Sequence, residues 1–183
     1  KVFEFLGNTR EGTILLDQQK LSVVAKVMLS TDPQLQAQAM RLLAFLCLLP
    51  PKGSSLVHDV IKAFGQDVKE AAPFEFFVSI LKKQDVVIEL VVQCLSLINS
   101  LVNSPDDLED RLKHRGHFLS QGILEIFKTF KESSASEEAL LLQISVFEEE
   151  MDADDAEMRI FVVPFPSLPP NNPLQLFLSW QED

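Results

Sequence analysis

Apolar residues recur at helical spacing along almost the whole chain. Thr13 to Leu29 places Ile14, Leu15, Leu21, Val24, Val27 and Met28 around one helical face, with a break near Gln18. Thr31-Asp32-Pro33 is a start signal, because proline suits the first helical turn. It predicts a helix from about Gln34 to Leu49 that stops at Pro50-Pro51-Lys52-Gly53. Ser54-Ser55 should cap the next helix, which carries Leu56, Val57, Val60, Ile61 and Phe64. Pro73 opens a short helix through Phe77 and Leu81, and Asp85 is the expected cap of a long apolar helix ending near Val102. Phe118 to Phe130 holds one or two short helices divided at Gly122, and Ser133 to Ser136 reads as a loop. Glu137-Glu138 then sits in the first turn of a final helix, where the dipole favours anions, and this helix runs through Phe147 into an acidic stretch. After Arg159, Val162-Val163 and five prolines from Pro164 to Pro173 cannot continue a helix and predict an extended tail.

Two of these helices are unusually apolar. Leu42-Leu43-Ala44-Phe45-Leu46-Cys47-Leu48-Leu49 is hydrophobic all round, which a helix tolerates only where neighbours cover it. Cys94 to Val102 is apolar except for one strip, in which Ser96, Asn99, Ser100 and Asn103 share a face at i, i+3, i+4 and i+7. Leu48 and Asn99 lie about 51 positions apart, and Gln143 follows 44 later. Helix groups recurring at that period point to an armadillo or HEAT solenoid. The expected fold is therefore all-α: an armadillo-repeat-like right-handed solenoid over residues 1–157, followed by a Pro-rich extended tail over 158–183. In such a stack the uncovered faces of the central helices line one concave surface. Phe45 or Leu48 and the Ser96/Asn99 strip would then lie together there, or else Phe45 and Leu48 are core and Asn99 meets solvent.

Composition narrows the function. The 183 residues are 46% hydrophobic, with 16 Lys and Arg against 27 Asp and Glu, a net charge of −11. That balance disfavours nucleic acid and anionic membrane surfaces, which need clustered cations. The acidity is local: ten acids and no Lys or Arg lie between Glu132 and Glu157, leaving 17 acids against 16 bases elsewhere. The longest uninterrupted apolar run, Leu42 to Pro50, is far short of the roughly 20 residues that span a bilayer. Cys47 and Cys94 sit in apolar runs without a metal-spaced partner and read as buried, reduced thiols of a cytosolic protein. The opening Lys1-Val2-Phe3 has neither Met nor a signal-like region, as in a fragment of a longer chain.

No catalytic constellation stands out, and the chain reads as a non-enzyme without cofactor or metal. His114-x-x-His117 near Asp106 and Asp107 lacks the spacing of a helical zinc motif, and Gly116 suggests a turn there. Lys52-Gly53-Ser54-Ser55 lacks the upstream glycine and strand of a phosphate loop. In the tail, Phe165-Pro166-Ser167-Leu168-Pro169-Pro170 contains a PxxP element of the kind that docks on aromatic grooves.

The stretch Leu97-Ile98-Asn99-Ser100-Leu101-Val102-Asn103-Ser104-Pro105-Asp106-Asp107-Leu108-Glu109-Asp110-Arg111-Leu112 resembles a signature of the diaphanous-related formins, in their armadillo-repeat regulatory region (diaphanous inhibitory domain, or formin homology 3 region). His114-Arg115, Phe118-Leu119 and Gly122-Ile123 look like the same segment. Asn8-Thr9-Arg10-Glu11-Gly12, Leu42 to Pro50, and Gln143 with Val146-Phe147-Glu148-Glu149 resemble further blocks in the same order. The resemblance implies a clamp. A concave groove binds an amphipathic autoregulatory helix from the C-terminal end of the same formin, and a Rho-family GTPase releases it, which controls actin filament assembly. Actin is then a partner only through the parent chain, and the location is cytoplasmic and cytoskeleton-associated. Carried over by position, the groove residues are Asn8, Phe45, Leu48, Ser96 and Asn99, and the acidic patch is Glu149, Asp152 and Asp154. Phe45 and Ser96 differ from the small residue and the Gln of better-known members, and the family's GTPase-binding helices, which precede the repeats, are not expected among these residues. The alternative is a generic armadillo or HEAT peptide-binding adaptor unrelated to actin.

Overall fold

The computed structural model describes residues 18–133 and 137–161, and the side chains of all of these but 160 and 161. The described residues form eight helices and no strand: α1 (Gln18–Val27), α2 (Pro33–Cys47), α3 (Gly53–Val68), α4 (Glu75–Leu81), α5 (Ile88–Asn103), α6 (Leu108–Ser120), α7 (Ile123–Ser133) and α8 (Glu138–Phe161). The chain is all-α, with a repeating helical layout. None of these helices is long and apolar enough to cross a membrane.

The architecture is organised around α5. Leu90, Val91, Cys94, Leu95, Leu97, Ile98, Leu101 and Val102 are all buried, so apolar side chains leave this helix on nearly every side. Burying each large aliphatic side chain is worth about 1.5–3 kcal/mol, which forces neighbours onto all of those sides. α2 lies along one flank of α5 and α8 along the other, while α4 and α6 pack against its remaining covered faces. α1 and α3 pack on each other and on α2. The helices that recur in the sequence at Leu48, Asn99 and Gln143 are therefore α2, α5 and α8, stacked side by side.

Local chemistry sets the helix ends, not always where the expected caps lie. Asp32 does cap α2: its side chain accepts from the Gln34 N–H at 2.8 Å, with Pro33 in the first turn. The α2–α3 turn depends on Gly53, because a Cβ there would meet the Leu46 carbonyl oxygen at 2.1 Å. The residue before α3 is Lys52, and Ser54 lies inside the helix. α5 starts after Val87, not at Asp85. Before α4, Phe74 adopts a left-handed conformation (φ 66°) held by Glu70, whose carboxylate accepts from the Phe74 and Phe76 N–H groups at 3.2 and 2.8 Å. Gly116 makes no turn: α6 continues through it to Ser120, and the break comes at Gly122, with φ 83°. α8 runs to Phe161, past the expected boundary at 157, and the Pro-rich tail lies outside the described residues.

One polar contact ties α3 to α5 for a reason visible in the sequence. The Leu101 carbonyl would accept the N–H of residue 105, but Pro105 has none. His58 supplies the donor from α3, with Nε2 2.9 Å from Leu101 O. The His58 ring stacks on His114 of α6, centroids 4.7 Å apart. Burial, then the neighbouring His58, pushes the His114 imidazole from 6.5 down to about 4.

His58→Phe should keep the stack but leave the buried Leu101 carbonyl unpaired, costing about 1–3 kcal/mol in urea denaturation. His114 sets a pH dependence. As pH falls from 6.5 toward 4, the unfolded chain binds a proton that the folded chain refuses, so stability present above 6.5 is lost through that window. The urea midpoint should fall more steeply between pH 7 and pH 5 in the natural protein than in His114→Phe.

Candidate functional site

Among the described residues, packing leaves part of α2 exposed. Ala37, Met40, Leu43, Ala44, Leu46 and Cys47 are buried, while Gln38, Arg41, Phe45 and Leu48 are exposed and recur at helical spacing. Phe45 is 38% exposed and Leu48, at the end of the helix, 67%. Exposed apolar side chains on a run of this kind mark a surface that a partner could use.

α5 has a matching stripe. Val92, Ser96 and Ser100 are only half-buried, in a helix otherwise closed by α2, α8, α4 and α6. Phe45 and Leu48 are thus exposed on α2 and at its end, and Ser96 is half-buried on α5, the helix that α2 lies along. Cys47 at the inner edge is buried and lies 3.2 Å from the Ser104 hydroxyl, which fixes α2 against α5. Both cysteines are free thiols, and burial pushes Cys47 up.

Asn99 is neither core hydrophobe nor solvated surface. It is 7% exposed, and its Nδ2 donates to the backbone oxygen of Gln143 at 2.9 Å and to Gln143 Oε1 at 3.1 Å. A carbonyl only accepts, so the amide nitrogen must be the atom facing α8. That leaves Asn99 Oδ1 buried without a partner. Asn99 therefore joins the second and third central helices and holds an unused acceptor at their junction. Asn8 lies outside the described residues.

The third wall is α8. Leu140, Ile144 and Phe147 are buried toward the stack, whereas Leu142 is 59% exposed and Val146 half-buried. Leu142 and Glu149, at i and i+7, share one stripe, and Asp152 follows one turn later, exposed like Glu149. The sequence reading missed Leu142; it was concealed in the run Leu140-Leu141-Leu142, where only Leu140 reaches the core.

The acidic patch needs one correction. Asp154 is 3% exposed and does not belong to it. It continues the inward stripe Leu140, Ile144, Phe147, Met151, where spacings of four and three bring it to the buried side. Its carboxylate accepts from Arg111 Nε at 2.8 Å and Arg115 Nη2 at 2.5 Å. Arg115 is 2% exposed, also donates to Phe147 O and Asn103 Oδ1, and lies over the Phe147 ring at 5.2 Å. Arg111 and Arg115, at i and i+4 on α6, were legible as one basic face, but their acidic partner 39 to 43 positions away was not. Among the described residues, no group of three or more His, Cys, Asp or Glu is placed to hold a metal ion.

Comparison with known proteins adds a finding that geometry alone does not give. Residues 54–160 match the family described as Diaphanous FH3 Domain. The chain is similar to protein diaphanous homolog 3 of Rattus norvegicus, 32% identical over 154 residues, which is 83% of this chain and 13% of that protein. The human protein diaphanous homolog 3 is 30% identical over 155 residues, covering 84% of this chain and 13% of the relative. Formin-F of Dictyostelium discoideum is 31% identical over 126 residues, covering 67% of this chain and 10% of the relative. The chain thus spans a small fraction of the length of these relatives.

Asp154→Ala should strand the buried Arg115 guanidinium without a counter-charge. A stability loss of about 3–5 kcal/mol is expected in urea denaturation.

Proposed function

The chain belongs to the FH3 region of the diaphanous-related formins, and on that premise we propose that the open face of α2, α5 and α8 binds an amphipathic autoregulatory helix from the C-terminal end of the same formin. A Rho-family GTPase releases that helix, and the exchange controls actin filament assembly by the parent chain in the cytoplasm. A regulatory role in a formin follows from the family. The helix, the GTPase and the actin effect are the proposal.

The observation that carries it is the exposure of Leu48, at 67%, next to the buried Leu43, Ala44, Leu46 and Cys47. A partner helix anchors in such a face through side chains at i, i+3/i+4 and i+7. Three or four leucine-class anchors against Phe45, Leu48, Leu142 and Val146 would contribute about 1.5–3 kcal/mol each. Association costs of roughly 4–15 kcal/mol then leave a micromolar-to-nanomolar complex within reach. Asn99, bonded to Gln143, would hold α5 and α8 together for that ligand.

Exposed charge pairs contribute only about 0.2–1 kcal/mol each, so Glu149 and Asp152 orient a basic flank of the ligand while the apolar face supplies the affinity. Release by a GTPase requires a coupling free energy, and by linkage each partner weakens the other by the same factor.

The test is calorimetric titration with the formin's C-terminal helix. Leu48→Asp should weaken binding by at least about 100-fold, since it removes one anchor and buries a carboxylate, while circular dichroism stays helical. Unchanged affinity would remove the groove from the account. Preference for an extended peptide over the helix would point to the generic adaptor. Glu149→Lys with Asp152→Lys should slow association most at low salt, and a salt-independent rate would count against charge steering.

A further inference from the structure

The two halves of α8 are held by different forces. From Leu140 to Met151 the helix is fixed by apolar burial: Leu140, Ile144 and Phe147 are buried and Met151 packs on the same core. Beyond Met151 no described apolar side chain of α8 is buried, and Asp154 is the one buried residue among those described. This segment also carries Asp152, Asp154, Asp155 and Glu157 close to a helix C-terminus, where the dipole opposes negative charge. A short helix under those conditions frays unless something outside it intervenes.

What intervenes is α6. The two oxygens of Asp154 are divided between two arginines, Oδ1 to Arg111 Nε and Oδ2 to Arg115 Nη2. Arg111 Nη2 also reaches Glu157 Oε2 at 2.6 Å, so residues one turn apart on α8 share a single guanidinium. The remaining edge of Arg111 is braced by the loop before α6, with Nη1 donating to Asp106 O at 3.0 Å and Pro105 O at 3.4 Å. Arg115 is fixed from beneath by Asn103 of α5 and by the Phe147 carbonyl and ring. Arg111 is thus braced from outside α8, and Arg115 by Asn103 as well as by the apolar half of α8, each in a planar fork that lysine could not reproduce.

We propose that Arg111 and Arg115 form a latch that holds the acidic half of α8 in place and so fixes where Asp152 and the acidic side chains after it project at the end of the groove. They are positioning residues, since neither touches the bound helix. The latch makes the basic flank of a ligand count, while the apolar groove would bind the helix core without it. This inference rests on the helix-binding reading for its ligand, but not for the order it imposes on α8.

Arg111→Gln is the informative variant, because it leaves the buried Arg115–Asp154 pair intact. Two C-terminal helices, one with its basic flank and one with that flank replaced by alanine, are titrated against both proteins. In the natural protein the flank should improve affinity severalfold; in Arg111→Gln that ratio should fall to about one to two. A role in net charge alone predicts the opposite, because losing a cation makes the domain more attractive to a basic flank. Equal weakening of both helices would show a merely structural residue and overturn the proposal.

Hydrogen exchange supplies a readout without ligand. Amides from about 152 to 158 should exchange at least tenfold faster in Arg111→Gln, with those around 140–147 unchanged. Unchanged exchange at 152 to 158 would equally overturn the latch. Failure of the unflanked helix to bind the natural protein would instead remove the groove reading, and the exchange result would still decide the latch.

Discussion

A helix that is apolar on nearly every side is stable in water only if other helices surround it, and α5 is that helix. Its buried Leu, Val and Ile side chains place α2 and α8 on its flanks and α4 and α6 against it. Once those neighbours are in place, the geometry of the open side is no longer adjustable. Phe45, Leu48 and Ser96 are left outside that packing, and the proposed groove rests on how the core is covered.

Polar contacts refine the stack at places where a purely apolar junction would leave orphaned groups. Pro105 removes a donor from the last turn of α5, and His58 restores it from α3. Asn99 ties α5 to α8 through Gln143 and keeps an unpaired oxygen at the junction. Arg111 and Arg115 hold α8 where apolar burial gives out. Each contact links helices far apart in sequence.

The boundary between the apolar and the acidic part of α8 is also a boundary between kinds of force. Hydrophobic burial is insensitive to salt and tolerant of small shifts, so it suits a surface that must grip. Charge pairing is directional and salt-sensitive, so it suits a surface that must orient. Leu142 and Glu149 lie on one stripe at i and i+7, so the proposed helix would meet both kinds in sequence.

Much of this protein was legible before any coordinates. Helical spacing located the stacked helices, the recurrence of Leu48, Asn99 and Gln143 identified the central ones, and ordered blocks of residues pointed to the family. These signals are local: they depend on residues three, four or seven apart, which a sequence displays directly. The sequence did not decide which apolar positions stay uncovered, since Phe45 and Leu46 look equally greasy and only one is buried. Nor did it show that Asp154 turns inward to two arginines on another helix while Glu149 and Asp152 turn out. Those outcomes depend on which helix arrives on which side, and that is settled by packing between residues some forty to fifty positions apart, so only the tertiary structure could decide them.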